Sequence, residues 1–307
     1  MVLNKIGITG ATGMLGRHVC LALEMADARV VAVSRNSSPN ENICIWDLVN
    51  WLSSKELDDL FSGVQAIVHV GAMVPRHSGL IDEARMFDAN VRACLNLGLW
   101  AVSRNVPIVH ISGAIVYAEH DREGLTEDAK LGWSGVGGFY GLSKLLAEEV
   151  FESLCEKGLK LAVVRPTAIY GLGIPVGKMI SNFLATAKEG GAIELYPPVH
   201  DRVDFIHASD VAHSIIAILQ ADAWCKFNIG SGCALSIKQL AEACVSVTGR
   251  GRILINEDTG EARDPIVRFA LNTSRAKNLL GWKPLIDIER GLRMTLNGSA
   301  NYNDNRE

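Results

Sequence analysis

Short apolar runs rich in β-branched residues alternate along the chain with longer stretches in which apolar positions recur every three or four residues. The first pattern marks buried strands and the second amphipathic helices. Ile6 to Thr9, Val30 to Ser34, Ile43 to Trp46, Ala66 to Val70, Pro107 to Ser112 and Leu161 to Arg165 read as strands. Glu83 to Val102 reads as a helix with Ala84, Phe87, Val91, Leu95 and Gly98 on its apolar face, and Tyr140 to Glu156 as one with Leu142, Leu145, Leu146 and Val150. Strand and helix alternating in this way predict an α/β fold built on a doubly wound parallel sheet with right-handed crossovers.

The rhythm changes after Arg165-Pro166, where Gly171, Gly173, Pro175 and Gly177 interrupt the chain before a helix at Met179 to Lys188. Val203 to His207 and Phe227 to Ile229 are again strand-like, and helices follow at Ile237 to Thr248 and Arg275 to Leu280. The expected organisation is a first unit of residues 1–172, to which 203–229 returns, and a smaller C-terminal lobe of 173–202 and 230–296. Residues 297–307 are polar and aperiodic, which predicts a frayed tail.

Composition narrows the partners. Thirty Lys and Arg stand against 34 Asp and Glu in 307 residues, a formal charge of -4, so no overall field attracts nucleic acid or an acidic membrane surface. The seven cysteines are odd in number and never spaced as Cys-x-x-Cys, which points away from a disulfide framework and a zinc site; no metal is expected. No signal peptide is read at the amino terminus and no stretch reaches the ~18 apolar residues of a membrane span. A soluble, cytoplasmic protein acting on a small molecule is expected.

Thr9-Gly10-Ala11-Thr12-Gly13-Met14-Leu15-Gly16 follows a strand and opens a helix, the setting that gives a glycine fingerprint its meaning. Gly10 permits the tight turn, Gly13 lets the backbone approach a pyrophosphate and Gly16 lets helix and strand pack closely. The helix start offers free N–H groups to the phosphates. The second strand ends Ser34-Arg35 where an acidic residue would hold the ribose 2′-hydroxyl. A guanidinium there suits a 2′-phosphate, so NADP is favoured over NAD. Further on, Tyr140 and Lys144 lie four residues apart at the start of a helix, on one face. An ammonium beside a phenol favours phenolate and makes proton exchange with an alcohol feasible.

These features, with Asp47-Leu48, Val68-His69-Val70-Gly71-Ala72, Asn90-Val91, Val116-Tyr117, Arg165-Pro166, Tyr170-Gly171, Asp204-Phe205-Ile206-His207, Asp210-Val211-Ala212, Asn228-Ile229-Gly230 and Leu280-Gly281-Trp282-Lys283-Pro284, resemble the extended short-chain dehydrogenase/reductase superfamily, in its NAD-dependent epimerase/dehydratase branch. The resemblance spans nearly the whole chain. It implies a Rossmann-type sheet with a C-terminal substrate lobe and a homodimer. It implies that Tyr140 is the catalytic acid or base and that Lys144 binds the nicotinamide ribose. Asp47 would contact the adenine. The cofactor would also be lined by Thr12, Met14, Leu15, Leu48, Val70, Gly71, Ala72, Asn90, Ile111, Pro166 and Ala168, and the substrate by Met73, Gly113, Ala114, Met179, Arg202 and Arg263.

Two departures shape the expected chemistry. Where the family carries a Ser or Thr that polarises the substrate oxygen, this chain has Gly113, with Ser112 beside it as the candidate replacement. Val203 occupies the slot of a phosphate-binding arginine, with Arg202 one residue earlier; Arg263 is a second candidate for that role. Ala114-Ile115 stands where sugar dehydratases of the family carry Asp-Glu, so dehydration is disfavoured. The leading expectation is a nucleotide-sugar 4-epimerase acting through a transient 4-keto sugar. The alternatives are an NADPH-dependent reductase of a keto sugar or other carbonyl compound, and a cofactor-binding protein with little catalysis.

Overall fold

A computed structural model describes residues 3–36, 43–75, 82–196, 199–256 and 268–298. The chain begins with β1 (Lys5–Thr9), α1 (Met14–Met25), β2 (Arg29–Ser34), β3 (Ile43–Ile45), α2 (Ser54–Leu60) and β4 (Ala66–His69). Next, α3 (Glu83–Phe87) passes through a π-helical turn, Asp88–Arg92, into α4 (Ala93–Arg104). There follow β5 (Ile108–Ile111), a 3-10 turn at Ala114–Val116, β6 (Glu123–Leu125), α5 (Gly138–Cys155) and β7 (Leu161–Pro166). The second part holds β8 (Ala168–Tyr170), α6 (Met179–Lys188), β9 (Ala192–Leu195), β10 (Arg202–His207), α7 (Ala208–Ala221), β11 (Lys226–Ile229) and β12 (Ala234–Ser236). It ends with α8 (Ile237–Thr248), β13 (Arg252–Ile255), β14 (Arg268–Leu271), α9 (Ser274–Leu280) and α10 (Ile288–Asn297).

Seven strands form one parallel sheet in the order β11-β7-β5-β4-β1-β2-β3. Strand order reverses between β1 and β4, and in open α/β sheets the crevice beyond the carboxyl ends of such a pair is where ligands bind. The register Thr9 to His69 brings the glycine turn after β1 against the Val70-Gly71 segment after β4. On one face of the sheet Val19, Leu23, Ile215 and Leu219 join α1 and α7 to the core. On the other, Leu57, Leu97, Trp100, Phe151 and Leu154 do so for α2, α4 and α5.

A second sheet takes the order β12-β10-β14-β6, with β8 also paired to β10, and β9 pairs β13 separately. Thus β10 belongs to the second sheet, while α7 packs on α1 and β11 completes the first. A third apolar cluster gathers Leu184, Ile193, Leu240, Cys244 and Leu292 from α6, β9, α8 and α10. Asp210 on α7 accepts backbone N–H bonds from Leu285 (3.0 Å) and Ile286 (3.1 Å), tying the C-terminal segment to the first unit.

Two helical faces differ from their sequence reading. Across α3, the π turn and α4 the expected Val91 and Gly98 are buried together with Met86, Asn90, Cys94, Leu97 and Ala101, whereas Ala84 and Phe87 are exposed and Leu95 is half-buried. The π turn at Asp88–Arg92 winds wider than 3.6 residues per turn, so the positions before it do not share the face of those after it. On α5 the buried stripe is Gly141, Ser143, Lys144, Ala147, Glu148 and Phe151, and Leu142, Leu145 and Leu146 are only half-buried. Polar residues face inward because they have partners there. Glu148 meets Arg165 at 2.6 Å with both side chains fully buried, and Arg165 also donates to the Tyr117 hydroxyl (3.1 Å) and Glu127 O (3.1 Å). This pair pins α5 to β7. Of the tail, Asn297 ends α10 and residues 299–307 lie outside the described residues.

Candidate active site

The glycine turn fits a dinucleotide on its own geometry. Gly10 has φ +69°, and a Cβ there would lie 2.7 Å from the Gly71 backbone; a Cβ on Gly16 would lie 2.1 Å from Gly10 O. Gly13 caps α1 without any side-chain hydrogen bond, so the first-turn N–H groups remain available to an anion. Leu15 turns its side chain into the core and Met14 is half-buried, which leaves their backbone as the part able to meet phosphate. Thr12 Oγ1 and Ser34 Oγ share a hydrogen bond of 2.6 Å, joining the turn to the end of β2. Arg35 is exposed beside it. Arg17 Nε donates to Thr12 O at 3.0 Å, which sets a second guanidinium against the turn; no motif spacing had singled it out.

Asp47, the expected adenine contact, pairs with Arg85 at 3.1 Å, and Leu48 and Val70 are half-buried. Gly71 N donates to Thr9 Oγ1 (3.2 Å). Asn90 is held by the protein itself. Its Oδ1 accepts from Met73 N (2.6 Å), and its Nδ2 donates to Met73 O (3.0 Å) and Ser143 Oγ (2.9 Å). Ser143 Oγ in turn donates to Tyr140 O at 2.8 Å. The side chain expected to line the cofactor therefore links the Ala72-Met73 segment to the first turn of α5. Ser143, unremarked in the sequence, completes that link.

Lys144 is buried and its Nζ donates to Ile111 O at 2.6 Å, so the ammonium sits against the end of β5. Burial lowers its pKa to about 8. Desolvation pushes the Tyr140 phenol up to about 12. At neutral pH the pair is a phenol beside an ammonium, and ionising Tyr140 needs positive charge near its oxygen. Gly113 has an extended backbone, φ 177° and ψ 156°, at the entry to the 3-10 turn. The neighbouring Ser112 hydroxyl is buried and has no hydrogen-bond partner among the described residues. Ala114 is buried, Pro166 ends β7 and half-buried Ala168 begins β8.

The substrate side is less assembled. Arg202 is engaged within the second sheet, donating from Nε (3.1 Å) and Nη2 (2.7 Å) to Ala234 O and pairing with Glu123 at 3.6 Å. Its expected phosphate contact would require giving up these bonds. Met179 opens α6 and is exposed. Arg263 lies outside the described residues. Beneath Lys144, three residues scattered in sequence converge: His69 on β4, Cys94 on α4 and His110 on β5. No helix is long and apolar enough to cross a membrane among the described residues.

Comparison with known proteins agrees with this geometry. The model of the NAD dependent epimerase/dehydratase family matches residues 6–230. UDP-glucuronic acid decarboxylase 1 of Xenopus tropicalis is 23% identical over 95% of this chain and 71% of its own length. The dTDP-L-rhamnose 4-epimerase of Burkholderia thailandensis is 27% identical over 94% of this chain and 93% of its own. Among solved structures, MoeE5 in complex with UDP-glucuronic acid and NAD superposes with a TM-score of 0.82 at 24% identity, covering 96% of this chain and 98% of that one.

Proposed function

The chain belongs to the NAD dependent epimerase/dehydratase family, enzymes of the extended short-chain dehydrogenase type, and from that premise we propose that it is a nucleotide-sugar 4-epimerase. The carrying observation is the assembly of Tyr140, Lys144 and the Asn90–Ser143 link at the switch point of a sheet whose glycine turn fits a dinucleotide. Gly10, Gly13 and Gly16 with the first turn of α1 would hold the pyrophosphate, and Lys144 the nicotinamide ribose. When bound, the nicotinamide supplies a reversible acceptor for the hydrogen on the carbinol carbon. Tyr140 takes the proton of the C4 hydroxyl and returns it after the keto sugar has turned. Lys144 keeps positive charge beside the phenolate. Ala114 and Ile115 offer no acid or base, which supports a reaction without loss of water.

A homodimer in the cytoplasm completes the reading. Half-buried Leu142, Leu145 and Leu146 on α5, with exposed Phe87 and Leu99 on the neighbouring helices, offer an apolar face for a second copy. No disulfide joins the seven cysteines, which suits a reducing compartment. We take residues 1–172 with 203–229, of which α7 and β11 return to the first sheet while β10 pairs within the second, as the cofactor unit, and 173–202 with 230–296 as the substrate lobe.

The test uses purified protein. Cofactor that survives desalting, and interconversion of UDP-glucose and UDP-galactose or their dTDP counterparts with no net change in NAD(P)H, support the epimerase. A second reading, an NADPH-dependent reductase of a keto sugar or other carbonyl substrate, is favoured by exposed Arg35 and by Arg17 against the same turn. Stoichiometric loss of NADPH with a keto substrate would select it.

A further inference from the structure

His69, Cys94 and His110 are fully buried, and one ligand atom from each lies within 4.8 Å of the other two. Three points that close share a centre no more than roughly 2.8 Å from each, while metal bonds to nitrogen and sulfur run ~2.0–2.3 Å. Side-chain shifts of under an ångström would close the set.

Two further observations point to an occupant. Both ring nitrogens of His110 are buried without a hydrogen-bond partner among the described residues, an expensive state for an imidazole in a close-packed core. His69 is oriented as a ligand would be: its Nδ1 is 2.8 Å from Thr9 Oγ1, which turns Nε2 toward Cys94 Sγ at 3.5 Å. The Cys94 thiol meanwhile donates to Asn90 O at 3.0 Å.

We propose that His69 Nε2, Cys94 Sγ and one ring nitrogen of His110 form a three-coordinate site for a soft monovalent cation, Cu(I). Ligand softness and charge select the ion. A thiolate with two neutral imidazoles suits copper, and the thiolate and Cu(I) charges cancel. A divalent ion would leave net positive charge in a buried pocket close to the Lys144 ammonium, with no carboxylate in the set to offset it. Binding forms one Cu–S and two Cu–N bonds and releases the Cys94 thiol proton to solvent, with no change in oxidation state. Cys94 then gives up its hydrogen bond to Asn90 O.

The experiment is anaerobic competition for Cu(I) between the full-length protein and the chromophoric chelator bicinchoninate, with X-ray absorption on the loaded protein. One tightly held Cu(I) with one sulfur and two nitrogen neighbours is expected, and Cys94→Ser and His110→Phe should each weaken that affinity at least 100-fold. His110→Phe places another ring beside Phe151, whose ring centroid is 5.0 Å from that of His110, so it serves if the cysteine variant does not fold. Unchanged affinity in a folded variant, sulfur-only ligation, equal binding of Zn(II) at the same three residues, or a water molecule alone at the site in the copper-treated protein would overturn the proposal.

Discussion

A Cβ built on Gly113 meets nothing nearer than Ile115 Cγ2 at 3.7 Å, and its extended backbone accepts any residue. A serine hydroxyl therefore fits where the family's polarising group stands, and removing one such donor elsewhere typically costs ~100- to 1000-fold in turnover. Gly113→Ser is expected to raise kcat for sugar interconversion by about 10-fold or more. No change would assign the task to another hydroxyl, Ser112 first. The sign at Lys144 follows from its lowered pKa: the ammonium is present at pH 7 and is lost as pH rises through about 8. Glu148 and Cys94 oppose this shift, and the neighbouring His69 and His110 are neutral. The profile of kcat/KM, which reports the free enzyme, should therefore fall on the alkaline side of about pH 8. In Lys144→Gln that limb should vanish and the pH 7 rate should drop by on the order of 100-fold. A wild-type profile flat from pH 7 to 9 would contradict the assignment. The placement of Tyr140 and Lys144 on one helix was legible because it follows from their spacing. The Asn90–Ser143 link and the convergence of His69, Cys94 and His110 were not, since each joins distant segments that only the fold brings together.

The helices show where pattern reading stops. The boundaries of α6 and α8 follow directly from periodicity, and α8 carries a capping box of Ser236 and Gln239. α7 escaped because Val211, Ala212, Ile215, Ile216, Ile218 and Leu219 leave it apolar nearly all round, so no stripe stands out. On α5 the leucines that look like core face outward, while Ser143, Lys144 and Glu148 face inward with partners that a hydrophobic pattern cannot foresee. Leu145→Glu is thus expected to leave the fold and melting temperature nearly unchanged and to shift the protein from dimer to monomer in sedimentation. Unfolding would place Leu145 in the core instead. The inward face responds oppositely. Glu148→Gln leaves Arg165 buried without its carboxylate, an effect typically worth about 3–5 kcal/mol, which urea unfolding should register as a lower midpoint.

For the molecule as a whole, the first sheet was readable because most of its strands are apolar runs between helices, and β4, β5 and β7 are buried along their whole length. The second sheet was not: β6, β8 and β12 are three residues long, and their pairing with β10 and β14 depends on tertiary contacts across up to 147 positions, the separation bridged by Arg275 and Asp128 beside it. That sheet also engages Arg202, so the second sheet departs from its sequence reading more than the first does. The central claim, that hydrogen leaves a sugar carbon and returns to it within one active site, is tested most directly with UDP-glucose deuterated at C4. Product UDP-galactose retaining deuterium at C4, with none appearing in free NAD(P)H or solvent, is the predicted result; label passing to the soluble cofactor pool, or no 4-epimer at all, would contradict it.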